Sequence, residues 1–93
     1  MNEVCILNII KERTDVYAEV ESSVYQNMDS ALRAYNVAVD DARTEAKDWY
    51  SPYEDEFATD SYRQFRILES NGGNALTIEV QTKEIIGEEP DDI

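Results

Sequence analysis

The chain has 93 residues, which is the length of one domain with a single core. Its 21 Asp and Glu against 8 Lys and Arg give a net charge of −13, which argues against direct binding to nucleic acid or to an anionic membrane, because phosphate groups would repel it. Hydrophobic residues make up 42% of the sequence, too large a share for a wholly disordered acidic chain. We therefore expect a folded domain.

The residue types that are missing exclude several kinds of catalytic and metal site. Histidine is absent, which removes the commonest general base and the commonest metal ligand. Cys5 is the only cysteine, so no intrachain disulfide or multi-thiolate zinc site can form, and an unpaired thiol fits a reducing compartment. No apolar run approaches the roughly 18 residues that cross a bilayer, and the N-terminus lacks the basic region of a signal peptide. We expect a cytoplasmic protein that is not an enzyme and binds no cofactor or metal.

The first 25 residues predict a β-hairpin. Residues 4–10 are almost all apolar, which is typical of a central strand. Residues 11–15 are polar and predict a turn. In residues 16–25, apolar and polar side chains then alternate as expected for a second strand.

At Met28 the hydrophobic period changes from 2 to about 3.6, which predicts one long helix. Asn27 is a candidate N-cap, Asp29 places a negative charge in the first turn, and Pro52 marks a stop. The apolar stripe of this helix consists of Met28, Ala31, Leu32, Tyr35, Ala38, Val39, Ala42, Ala46 and Trp49.

The second half predicts a loop, a hairpin and a tail. Residues 51–60 show neither period and are expected to form a loop; residues 62–69 and 76–81 alternate as strands around the turn at 71–74. The expected fold is α+β, in the order β-β-α-β-β, with a four-stranded antiparallel sheet and one helix on one face. Residues 1–86 would form this single domain and residues 87–93 an acidic disordered tail.

The stretch from residue 48 to residue 60 is the candidate site. It holds four aromatic residues and five carboxylates but no Lys or Arg. Alternate residues of an extended chain lie about 6.6 Å apart, near two base-pair rises of DNA, so such acids can occupy phosphate positions in a basic groove. Alternatively, Trp49 and Phe57 close the core while the acids face water. The candidate partner-binding residues are Asp48, Tyr50, Tyr53, Glu54, Asp55, Glu56 and Asp60.

A hairpin leading into a helix, followed by Trp49 and then Tyr53-Glu54-Asp55-Glu56-Phe57, resembles the small acidic anti-CRISPR proteins of phages that inhibit type II RNA-guided nucleases. The likeness spans about 25 residues. It implies that residues 54–56 mimic DNA phosphates in the basic channel of a CRISPR effector. A second hairpin and an acidic tail depart from that pattern, which leaves the docking mode and the effector type open.

Two function hypotheses follow. The first is a non-enzymatic acidic inhibitor whose partner is a basic nucleic-acid-binding protein such as a CRISPR effector, and which competes with DNA or RNA for that protein's surface. The second is a small structural or assembly domain that uses its sheet to form a homo-oligomer.

Overall fold

The computed structural model describes residues 2–13 and 16–85; the predicted tail at 87–93 lies outside this part of the chain. The secondary structure elements in chain order are β1 (Asn2–Arg13), β2 (Val16–Tyr25), α1 (Met28–Glu45), a 3₁₀ helix (Ala46–Asp48), β3 (Tyr53–Ala58), β4 (Tyr62–Leu68) and β5 (Asn74–Ile85).

The described strands form one antiparallel sheet in the order β2-β1-β5-β4-β3. β1 and β5 pair over their whole length, so the two ends of the described chain meet in the middle of the sheet. The α+β class with one helix is confirmed. The predicted four strands are wrong, because the sheet has five.

The additional strand is β3, which occupies residues 53–58 of the predicted loop 51–60. All six of its side chains are exposed. The strand lies at the edge of the sheet and buries neither face, so its sequence shows no alternation between apolar and polar residues. Its three acids also have low strand propensity. Antiparallel backbone pairing with β4 holds the strand in the sheet.

The strand β1 also extends further than predicted. Residues 11–13 were expected to form a turn, but they continue β1 and pair with β5. Lys11 and Arg13 lie on the side of the sheet that faces α1, and both form ion pairs with Glu45, at 3.5 Å and 3.0 Å. These contacts give the polar end of the strand a partner on the helix.

The core lies between α1 and one face of the sheet, which we call the helix-side face; the opposite face is the open face. Tyr35 and the small residues of the predicted apolar stripe are buried on the helix. Tyr35, Phe65, Ile78 and Val80 are the largest fully buried side chains. The strands contribute the following buried residues to this core: Cys5, Leu7, Phe65, Ile67, Leu76, Ile78 and Val80.

The helix begins as predicted but ends earlier. Asn27 caps it, since its side-chain oxygen accepts a hydrogen bond from the Ser30 amide at 2.9 Å. The α-helix stops at Glu45 and tightens into the 3₁₀ helix, after which the Trp49 amide donates to the Ala46 carbonyl at 3.0 Å. Trp49 is therefore not part of the helical stripe. It is half-buried and packs against the core from an extended segment.

Candidate functional site

The seven predicted partner-binding residues lie in one continuous segment. This segment runs from the 3₁₀ helix through edge strand β3 to the turn before β4, and every one of the seven side chains is exposed. Asp48 is at its start and Asp60 lies in the final turn. The segment borders one edge of the sheet because β3 has a neighbour only on its β4 side.

The loop that carries Tyr50 is fixed to the turn between β4 and β5. The Tyr50 amide donates to Glu69 Oε2 at 2.8 Å, and the Tyr50 carbonyl accepts from the Ser70 amide at 3.2 Å. The other oxygen of Glu69 accepts from Asn74 Nδ2 at 2.9 Å. Glu69 thereby links the loop to the sheet, while the Tyr50 side chain stays exposed.

The side chains of β3 divide between the two faces of the sheet. Register with β4 places Glu54 and Glu56 on the helix-side face, opposite buried Ile67 and Phe65. Asp55, together with the two aromatic residues of the strand, lies on the open face. The three consecutive carboxylates at 54–56 therefore do not form one row: the sheet separates the middle acid from its neighbours.

Glu54 is held by a cation of this chain. Arg43, in the last turn of α1, donates from Nε to Glu54 Oε2 at 2.8 Å and from a terminal nitrogen to Oε1 at 2.9 Å. This two-bond contact lowers the pKa of Glu54 and raises the pKa of Arg43. The guanidinium also lies 5.1 Å from the centre of the Phe65 ring. Glu54 is therefore partly neutralised before any partner arrives.

The remaining acids of the site form no close ion pair. Among residues 2–13 and 16–85, no ion pair involves Asp48, Asp55, Glu56 or Asp60, although Arg66 lies opposite Asp55 in the register with β4. The charge of Glu56 affects two groups on the helix-side face. It helps to raise the pKa of Arg43, and it adds to burial in raising the pKa of Tyr35. These four carboxylates are free to attract a basic surface.

Exposed aromatic rings accompany Asp55 on the open face. Tyr53 is exposed, and Phe57 is 57% exposed and lies 6.2 Å from the ring of Tyr62. Phe57 therefore does not close the core, in contrast to the alternative interpretation of the sequence. Trp49 does pack against the core, as that interpretation expected.

The sequence interpretation missed two members of this region. Phe57 was assigned only to the core alternative, although its alternation with Tyr53 places both rings on one face once β3 is read as a strand. Arg43 was not considered, because it lies on the helix, eleven positions before Glu54. No local spacing rule connects a helix end with the following edge strand.

A groove of about 440 Å³ lies away from this segment, between α1 and strands β1, β2 and β5. No group of three or more acidic or Cys side chains in the described ranges has the geometry of a metal site. None of the described helices is long and apolar enough to span a membrane.

Comparison with known proteins adds no relative. No protein family model matches the chain, and neither a curated protein nor a solved structure matches it.

Proposed function

We propose that this protein is a non-enzymatic acidic inhibitor that competes with nucleic acid for the basic surface of a bacterial protein. A type II RNA-guided nuclease is the partner class implied by the sequence resemblance. The observation that supports the proposal most directly is edge strand β3, whose side chains are all exposed. Two of its carboxylates and the two that flank it, Asp48 and Asp60, form no ion pair in the described chain. The setting of this interaction would be the cytoplasm of a bacterial host.

The residues of the site would have different roles. Asp48, Asp55, Glu56 and Asp60 supply negative charge that steers the protein toward a basic groove. Tyr50 and Tyr53 are exposed, stiff side chains of the kind that anchor protein interfaces. Glu54 contributes less charge, because Arg43 already binds both of its oxygens.

The experiment is a DNA cleavage assay with a type II RNA-guided nuclease loaded with its guide RNA. The wild-type protein should inhibit cleavage at stoichiometric concentration, and excess target DNA added first should reduce the inhibition. Asp55→Asn with Glu56→Gln should weaken inhibition about tenfold, because two steering charges are lost.

A matched control lies on the other edge of the sheet. Glu19→Gln with Glu21→Gln changes the net charge by the same amount on edge strand β2, whose acids are also exposed. This variant should inhibit like the wild type. Equal losses in the two variants would show that only net charge matters, which contradicts a site at β3. Absence of inhibition, or inhibition that DNA does not affect, would contradict competition with nucleic acid at this nuclease.

A further inference from the structure

The open face of the sheet carries an aliphatic patch on its two strands farthest from β3. Register between β1 and β2 places Val24 opposite Ile6 and Val20 opposite Ile10, with Val4 beside them. Val20 and Val24 are 63% and 67% exposed, and the other three are half-buried. The helix α1 packs on the opposite face, so no described element covers these five side chains.

Two polar residues, Asn8 and Ser22, lie within the patch between its two Val–Ile pairs, and they bond to each other. Ser22 Oγ donates to Asn8 Oδ1 at 2.6 Å, and Asn8 Nδ2 donates to Glu79 Oε2 at 3.0 Å. The Tyr62 hydroxyl lies 2.8 Å from Glu79 Oε1 and 2.7 Å from Gln64 Oε1. These contacts run across four neighbouring strands. Covering Ser22 and Asn8 would therefore leave few polar atoms without a partner.

The charges on the open face of the sheet nearly cancel. Its described strand positions carry a net charge of −1, whereas those of the helix-side face carry −3. The aliphatic patch itself contains no charged side chain. The charged residues of the open face lie outside the patch: Glu12, Asp55, Arg66, Glu79 and Lys83.

This distribution indicates what covers the patch. A basic partner would be attracted to the acidic parts of the molecule and would gain no charge contact from uncharged aliphatic side chains. A second copy is repelled by every acidic surface and can approach only through a neutral one. A two-fold interface must also be complementary to itself, and an uncharged apolar patch always meets this condition.

We propose that two copies of the chain form a homodimer in which their aliphatic patches pack face to face, as in sheet-on-sheet packing. The contact is independent of the proposed inhibitory site. β2 and β3 are the opposite edges of the sheet, separated by four strand spacings of about 4.8 Å. A dimer would therefore present two copies of the β3 site.

The test is the mass in solution, measured by sedimentation equilibrium from about 10 μM to about 1 mM protein, a range in which mass action populates weak dimers. The mass should rise from 10.7 kDa toward twice this value. Raising NaCl from about 0.02 M to about 0.5 M should shift this rise to lower protein concentration, because screening weakens the repulsion between copies.

Two valine substitutions form a matched pair. Val24→Asp should raise the dimer dissociation constant about tenfold or more, because it places two carboxylates in an apolar contact. Val37→Asp adds the same charge at a valine that is 61% exposed on α1 and should leave the dissociation constant unchanged. Circular dichroism verifies that both variants fold; Val20→Asp replaces Val24→Asp if the latter does not.

Three results would overturn the proposal. The first is a mass of one chain at every concentration and salt level, which would leave the patch to a different molecule or to solvent. The second is an equal loss of the dimer with Val37→Asp. The third is protection, on dimerisation, of the β2 amides that β1 does not bond, because this pattern would mean edge-to-edge strand pairing. Asp55→Asn with Glu56→Gln should dimerise normally, so failure of the inhibitory site and failure of the dimer are separable.

Discussion

Tyr35 combines deep burial with an unsatisfied polar atom. Its side chain is 1% exposed in the core, and its hydroxyl has no hydrogen-bond partner among the described residues. The guanidinium of Arg63 lies 6.0 Å from the centre of its ring. An unpartnered buried hydroxyl costs roughly 1–3 kcal/mol relative to water, so the ring, and not the hydroxyl, stabilises the fold at this position.

We predict that Tyr35→Phe raises the free energy of unfolding by about 1 kcal/mol, because the ring remains and the unpartnered hydroxyl is removed. Tyr62→Phe is the matched control, since the Tyr62 hydroxyl donates its one proton to either Glu79 or Gln64, and we expect the substitution to destabilise the protein. Urea unfolding at pH 7 measures both. A Tyr35→Phe protein less stable than the wild type would mean that the Tyr35 hydroxyl makes a stabilising hydrogen bond.

The same substitution changes the response to alkali. Burial, followed by the charge of Glu56, raises the pKa of Tyr35 from 10.0 to about 12, and burial followed by the Glu79 hydrogen bond raises that of Tyr62 to about 12. Between pH 10 and 12 the unfolded chain loses these protons while the folded chain keeps them. The contribution of these two tyrosines to the free energy of unfolding is therefore complete below pH 10 and falls away as the pH rises to 12. Tyr35→Phe should make this fall shallower; an unchanged slope would contradict the raised pKa of Tyr35.

At the scale of elements, one side chain, that of Asn27, caps the start of α1. Asn27 has extended backbone angles and accepts a hydrogen bond from the amide three residues later, which satisfies one of the free N–H groups of the first turn. Asp29 adds a favourable charge near the positive end of the helix dipole. Both roles were predicted from the sequence.

We predict that Asn27→Ala lowers the free energy of unfolding by about 1 kcal/mol, because the first turn loses its cap. Asn36→Ala is the control: Asn36 is an exposed residue in the middle of the same helix, where Ala has the higher propensity. Thermal or urea unfolding compares the two variants with the wild type. Equal stability of Asn27→Ala and the wild type would show that the cap contributes nothing measurable.

The helix, β4 and β5 could be predicted because each has one buried and one exposed face, and β1 because residues 4–10 are almost all apolar, on both faces. β2 could be predicted only from the alternation of its sequence, since none of its described side chains is buried. The stripe from Met28 to Ala46 and the alternation in β4 and β5 both reflect contact with the core. β3 could not be predicted, since none of its side chains is buried and only backbone pairing with β4 defines it. For the same reason, the sequence showed which residues are acidic but not that the sheet separates Asp55 from Glu54 and Glu56.

At the scale of the whole molecule, the first and last strands of the described chain pair with each other in the middle of the sheet. The central pair β1 and β5 comes from opposite ends of the sequence, while the other strand pairs join consecutive strands. This arrangement leaves the two edge strands β2 and β3 at opposite sides of the sheet. Each edge strand carries exposed acids, which discourage unwanted strand pairing between equally charged copies.

The net charge of −13 also acts on the folded state as a whole. Only three ion pairs join described residues, and all three are partly exposed, so they offset little of the repulsion among the acids. Folding brings the carboxylates closer together than they are in the unfolded chain. Salt that screens their repulsion should therefore stabilise the folded state more than the unfolded state.

We predict that the thermal midpoint rises by several degrees between about 0.02 M and about 0.5 M NaCl, since about 1 kcal/mol corresponds to 4–8 °C for a domain of this size. Sodium chloride is used because sulfate would also stabilise the protein by exclusion from its surface, which is a separate effect from screening. The measurement uses Val24→Asp, so that salt-dependent dimerisation does not contribute. Glu19→Gln with Glu21→Gln in that background should show a smaller rise. A flat or falling midpoint would mean that the ion pairs at Arg43 and Glu45 outweigh the repulsion.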